Sequence, residues 1–114
     1  MTERREARFP AGSIYERDLD RTPANFRPLT PLTFLDRAAD TYPERIAVRH
    51  GALARTYREL RARCHRLAAG LAALGVAPGD TVAVMAPNVP ELLEAHYGVP
   101  LAGAVLNALN TRLD

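Results

Sequence analysis

The sequence has no lysine and no tryptophan, and only one cysteine, Cys64. All 15 basic residues are arginines, spread along the chain in the manner of a codon bias of the source genome. A single thiol excludes a disulfide within the chain and points to a reducing compartment, the cytoplasm. The net charge of +2 is far below the basic footprint of a nucleic-acid binder, so no nucleic-acid partner is expected. No apolar run approaches the length of a bilayer-crossing helix, so no transmembrane segment is expected. Arg4, Arg5 and Arg8 alternate with Glu3 and Glu6, and no apolar run follows them. That argues against a secretory signal and a transit peptide. His50, His65 and His96 have no converging cysteine or carboxylate spacing, and no metal site is predicted.

What is present is a 114-residue chain that is 47% hydrophobic and 25% charged. These values describe a soluble globular domain with a modest core. Residues 1–28 carry scattered charge, Pro10, Gly12, Pro23 and Pro28, with isolated Phe9, Ile14, Tyr15 and Phe26. They show no period and read as an extended arm anchored by those large side chains. Residues 29–114 read as an α/β unit.

The first helix is predicted to start near Thr30, with Thr30 as its cap and Pro31 at its first position. Phe34, Leu35, Ala38, Ala39 and Tyr42 follow at helical spacing, and Pro43 ends the run. Ile46 to Arg49 alternates, His50-Gly51 turns, and Leu53 to Thr56 is predicted to pair back as a hairpin arm. Tyr57 to Leu74 is the best-defined helix. Thr56 and Glu59 make a capping box at its start. Leu60, Cys64, Leu67, Leu71 and Leu74 form one apolar stripe, and Gly75 fits the left-handed position past the end. Burying the stripe stabilises the fold by about 1.5–3 kcal/mol per leucine before entropy is subtracted.

Pro78-Gly79-Asp80 is a turn. Thr81 to Ala86 shows little alternation, as a strand covered on both faces would. Asn88 is expected to cap the next helix, with Glu91 three residues on. That helix carries Leu92, Leu93, Ala95, Tyr97 and Leu101, and Pro100 predicts a kink or an early end. Gly103 closes it, and Ala104 to Asn107 reads as the next strand. Strand, helix and strand make a βαβ unit with parallel strands and a right-handed crossover. The chain stops at Asp114 with a two- or three-stranded sheet, which leaves edges and faces bare. The expectation is that the natural domain continues; a self-contained small α/β domain is the competing reading.

Several stretches carry a resemblance. Thr56-Tyr57-Arg58-Glu59-Leu60 is similar to the first core motif of the adenylate-forming enzymes, and Leu101-Ala102-Gly103-Ala104-Val105 is similar to the second. Thr81 to Asn88 with Glu91 matches that superfamily's strand and helix start. Leu29 to Ala39, Glu94 to Pro100, Ala102 to Asn107 and Asn110 to Leu113 resemble the short- and medium-chain acyl-activating enzymes. That group includes acetate, butyrate and methylmercaptopropionate CoA ligases. Together these pieces cover most of residues 15–114.

The resemblance implies the N-terminal subdomain of an AMP-forming acyl-CoA synthetase, cut before its catalytic motifs. It implies that the parent enzyme is an acid–thiol ligase using ATP, CoA and Mg. A small carboxylic acid attacks the α-phosphate of ATP, and the CoA thiol then displaces AMP. Holding phosphates needs backbone N–H groups and a cation. In this family those are a Gly- and Ser/Thr-rich loop with a lysine, plus a second lysine on a C-terminal domain. A chain without lysine supplies neither. The expectation is that the isolated 114 residues contain no catalytic residue, bind none of the substrates tightly and make no acyl-CoA. The acyl substrate is not legible here.

Arg112 is the one candidate binding residue. In related medium-chain synthetases a polar residue just after this strand lies close to the CoA site, and a guanidinium there can pair with a CoA phosphate. The plain alternative is a surface arginine near a helix start. His96 reads as packed or exposed, not catalytic. Asn107 and Asn110 flank the loop after the last strand, where ligands of open α/β sheets gather, yet a turn role is the simpler reading. The arginines of the long helix read as a solvated face, and Cys64 as a buried, inert thiol.

Two further functions stay open. One is a non-catalytic interaction module derived from such an enzyme, docking on a full-length synthetase as a regulator. The other is an adenylation domain that loads a carrier protein.

Overall fold

A computed structural model describes residue 20 and residues 22–112. The anchors Phe9, Ile14 and Tyr15 lie outside the described residues. Near Phe26 the chain makes a local turn, in which the Asn25 and Phe26 amides donate to the Thr22 carbonyl at 3.2 and 2.9 Å.

Helix α1 (Pro31–Thr41) starts where proline can occupy the first turn without losing a helical hydrogen bond. Thr30 is its cap residue, but its side chain makes no cap hydrogen bond. Instead the Thr33 hydroxyl donates to the Thr30 carbonyl at 2.8 Å. Strands β1 (Ile46–His50) and β2 (Leu53–Thr56) pair antiparallel, with an irregularity between Ile46 and Val48. Helix α2 (Tyr57–Ala73) follows without a break. At its start the Glu59 amide donates to Thr56 Oγ1 at 3.2 Å, and the Thr56 amide donates to the Glu59 carboxylate at 2.7 Å. Those bonds hold the Glu59 carboxyl below its ordinary range.

Strand β3 (Thr81–Met85), helix α3 (Pro90–Leu101) and strand β4 (Val105–Leu109) form the βαβ unit. The strands pair parallel, from Thr81 with Val105 to Met85 with Leu109. Helices α2 and α3 end alike. The Val76 amide donates to Leu71 O and the Gly75 amide to Ala72 O; the Ala104 amide donates to Val99 O and the Gly103 amide to Pro100 O. This double closure needs a left-handed residue, supplied by Gly75 at φ 90° and Gly103 at φ 78°.

The core has two parts. Leu35, Val48, Leu60 and Cys64 close the hairpin side, with Tyr97 and Leu101 against them. Ala95, Val99 and Ala104 close the βαβ side, with Leu67, Leu71, Val82 and Leu106 against them. Helices α2 and α3 contribute to both.

Four expectations need correction. Leu74 is 84% exposed, because α2 ends at Ala73 and the chain leaves helical geometry there. Strand β3 is not covered on both faces. Thr81, Ala83 and Met85 are exposed while Val82 and Val84 turn inward, since the α-helical layer covers one side of the pair among the described residues. Asn88 does not cap α3: Val89 takes that position and Pro90 the first helical one. Strand β4 starts and ends later than expected, because the parallel ladder with β3 carries it to Leu109. Pro100 sits in the last turn of α3, which ends one residue later.

Candidate functional site

Parallel pairing puts the carboxyl ends of β3 and β4 on one edge of the sheet. The chain leaves β3 through 86–89 and leaves β4 through Asn110, Thr111 and Arg112. These two exits and one side of α3 enclose an open cleft of about 540 Å³. Asn88, Leu92, His96, Asn110 and Arg112 all face it. This is the edge at which open α/β sheets bind their ligands.

Asn110 shapes the far wall. Its Oδ1 accepts from the Arg112 amide at 2.9 Å, and its Nδ2 donates to the Arg112 carbonyl at 3.4 Å. The turn role expected for Asn110 is therefore what the structure contains. It uses the side chain locally and presents Arg112 at the cleft. The Arg112 guanidinium has no carboxylate partner among the described residues, and no acidic side chain lines the cleft. A guanidinium in that state suits a phosphate, which takes parallel N–H donors. Asn107 lies exposed on β4, paired with Ala83, and does not line the cleft.

On the opposite wall His96 Nδ1 lies 2.8 Å from the Leu92 carbonyl, one turn back. A carbonyl only accepts, so Nδ1 carries the proton. His96 also borders a second cavity of about 310 Å³, between the hairpin and the start of α3. Val48, Val89, Pro90 and Leu93 give this chamber an apolar lining, with Arg49 and His50 at its rim. His65 stands apart, 3.9 Å from Asp36, too far for a hydrogen bond. Among the described residues no three His, Cys, Asp or Glu side chains gather as metal ligands. No helix among them is long and apolar enough to cross a membrane.

A family model described as AMP-binding enzyme matches residues 35–114. The chain belongs to the AMP-binding enzyme family. It is 54% identical over 97 residues to acetate/butyrate–CoA ligase AAE7, peroxisomal, of Arabidopsis thaliana; that match covers 85% of this chain and 17% of the other protein. The fold is similar to the N-terminal subdomain of Klebsiella oxytoca NpsA in complex with 3-hydroxyanthranilyl-AMSN, at TM-score 0.69 and 29% identity. That alignment covers 74% of this chain and 22% of that one. It is also similar to a Mycobacterium tuberculosis fatty acyl CoA synthetase, at TM-score 0.66 and 37% identity, covering 71% of this chain and 16% of the other. The chain thus spans less than a quarter of the length of these relatives, and its α/β unit is that of the N-terminal subdomain of adenylate-forming enzymes.

In this member of the AMP-binding enzyme family one cluster escaped the sequence reading. Glu94 of α3 is only 5% exposed. Its Oε1 accepts from Arg63 Nε of α2 at 2.6 Å and from the Arg55 guanidinium of β2. Arg55 also lies 3.7 Å from Glu91. The bond to Glu94 pushes Arg63 above the usual arginine range. The solvated-face expectation therefore fails for Arg63, and Arg61 bonds Asp40 of α1 at 2.5 Å. A signal was available: Pro90, Glu94 and Gly98 recur at steps of four on the face that packs against the body, and a carboxylate there must find cations.

Cys64 is fully buried, as expected, and burial pushes its thiol up to about 11. At neutral pH it stays protonated and unreactive.

Proposed function

We propose that this chain is the N-terminal α/β subdomain of a ligase that joins a short- or medium-chain carboxylic acid to CoA, with ATP converted to AMP and pyrophosphate. The single observation that carries it is the 54% identity with an acetate/butyrate–CoA ligase. The cleft at the carboxyl ends of β3 and β4 supports it, since Arg112 is its one arginine and no acidic side chain among the described residues lines it. Arg112 is assigned to a phosphate of CoA. Asn110 orients it, and the walls supplied by α3 shield one side of the ligand from water.

ATP, CoA and Mg are assigned to the complete enzyme. Phosphate transfer needs a cation on the transferred group, and this sequence has no lysine to give it. Activation of the carboxylate is therefore assigned to residues beyond these 114. The 54% identity to an acetate/butyrate–CoA ligase favours CoA over a carrier protein as acyl acceptor. A cytoplasmic location belongs to the same proposal, with the lone thiol as its support.

The test is pyrophosphate release with ATP, CoA and a panel of short and medium carboxylates. The 114-residue chain is expected to give a flat trace. The polypeptide encoded by the uninterrupted genomic reading frame is expected to turn over. Turnover by the 114 residues alone, or a stop codon directly after codon 114, would overturn the reading in favour of an independent module.

A further inference from the structure

A separate groove of about 520 Å³ runs between α1, the loop before β1 and the first residue of α2. It shares no lining residue with the cleft at the strand ends or with the chamber beside His96. Phe34, Tyr42 and Tyr57 give it an aromatic floor, Arg37 and Arg45 stand along it, and no acidic side chain among the described residues lines it. Phe34 is 56% exposed and Tyr42 53%, so neither ring is spent on the core. Aromatic rings and arginines without carboxylates are the composition of the centre of a protein–protein interface.

The acids of this region are already engaged elsewhere. Asp40 bonds Arg61 at 2.5 Å, Glu44 bonds Arg58, and Asp36 lies on the side of His65, at 3.9 Å. The Arg37 guanidinium has no hydrogen bond or ion pair among the described residues. Arg45 lies 5.1 Å from the centroid of the Tyr42 ring, a cation–π contact that leaves its N–H donors for a carboxylate. Backbone bonds hold the groove in shape. The Tyr42 amide donates to Ala38 O at 2.8 Å, the Arg45 amide to Tyr42 O at 3.1 Å and the Tyr57 amide to Arg45 O at 3.0 Å. Each wall is tied to the next, which lowers the ordering cost of binding.

We propose that this groove docks an acidic segment of a partner protein, in which one large apolar side chain lies between carboxylates. The apolar side chain packs on Phe34 and Tyr42, and the carboxylates pair with Arg37 and Arg45. Charge selects this occupant. Two unpaired guanidiniums repel a basic partner, and a wholly apolar one would strip them of water without replacing it. The net charge of +2 is too small for a nucleic acid to be the occupant. The docking surface is independent of the ligase reading, because it uses none of the residues assigned to substrate.

The experiment is fluorescence anisotropy on the complete polypeptide that the reading frame encodes. The probe is a labelled heptapeptide of glutamates around one central phenylalanine, and saturable binding is expected. Alanine in place of the phenylalanine, or glutamine in place of every glutamate, should weaken it about tenfold. Arg37→Glu and Phe34→Ser alter exposed side chains, so both should keep the parent's urea midpoint, and each should weaken the peptide about tenfold. Added salt should loosen the parent complex more than that of Arg37→Glu. No binding, equal affinity for the glutamine peptide, or parent-like binding by Arg37→Glu would overturn the proposal. So would tighter binding of a thymidine oligonucleotide or of phosphatidylserine vesicles, or a parent dimer that Arg37→Glu disperses, which would assign the groove to a phosphate surface or to a second copy.

Discussion

Gly98 of α3 lies directly against Leu67 of α2: a Cβ added at Gly98 would stand 2.7 Å from Leu67 Cδ2. No real contact of that kind is so short, so the glycine fixes how closely the two helices approach. Two effects oppose each other in Gly98→Ala. Helix propensity favours alanine by about 1 kcal/mol. Overpacking against Leu67 costs about 1–3 kcal/mol. The clash wins because Gly98 is buried and the overlap reaches back to Leu67 Cβ at 3.0 Å. Gly98→Ala is expected to lower the urea midpoint, and Leu67→Ala in the same chain to recover part of the loss. Equal midpoints for Gly98→Ala and the parent would show that the helices slide apart freely.

Glu94→Gln should destabilise the chain by about 2–4 kcal/mol, near the range for breaking a buried ion pair. The lower part of that range applies because Arg63 is about a third exposed and its bond is partly screened by water. Replacing Glu94 and Arg55 together by Leu and Met should be milder than Glu94→Gln alone, since Arg55 is the more buried partner. Urea denaturation of the three chains measures this directly, and a harsher double variant would refute it.

Cys64 should resist thiol reagents in the folded chain and react on unfolding. Its folded pKa of about 11 lies above its unfolded value, so the proton is held more tightly in the folded state. The resulting stability is fully present below the unfolded value of about 8.5 and is lost as pH rises through about 11. Thermal melts across that alkaline range should fall more steeply for the parent than for Cys64→Ala. Labelling of the native chain at neutral pH, at the rate of a free thiol, would contradict the burial.

Arg112→Ala in the continuous reading frame should raise KM for CoA about tenfold while the adenylation half-reaction keeps its rate. Steady-state kinetics separates the two. A rise in KM for ATP instead would move Arg112 to the other substrate.

Much of this fold was legible because local rules agree with one another. The Thr56–Glu59 box, the stripe from Leu60 to Leu71 and the glycine at 75 each mark the same helix. Errors arose where a neighbour decided. Pro90 moved the start of α3 past Asn88, because proline fits the first helical position better than an asparagine two residues earlier can cap it. Burial of Leu74 was lost to a helix that stops one residue short. The alternating exposure of β3 depends on how many layers cover the sheet, and that count is tertiary. Arg112 could be singled out through the family resemblance, which implies a polar residue near the CoA site just after the last strand. His96 could not, because its Nδ1 bond to Leu92 and the chamber beside it come from the approach of the hairpin to α3. Glu94 was readable in part: its period places it inward, yet which arginines meet it depends on β2 and α2 converging.

The two cores do not touch the solvent independently, since α2 and α3 serve both. Their shared seam acts as a hinge pin for the whole body. Amide protons along the facing sides of these helices should be the last to exchange with heavy water, and hairpin and strand pair should lose protection together. A loosened seam would instead let the strand pair open while the hairpin stayed shut, taking the walls of the cleft apart before the chain as a whole unfolds.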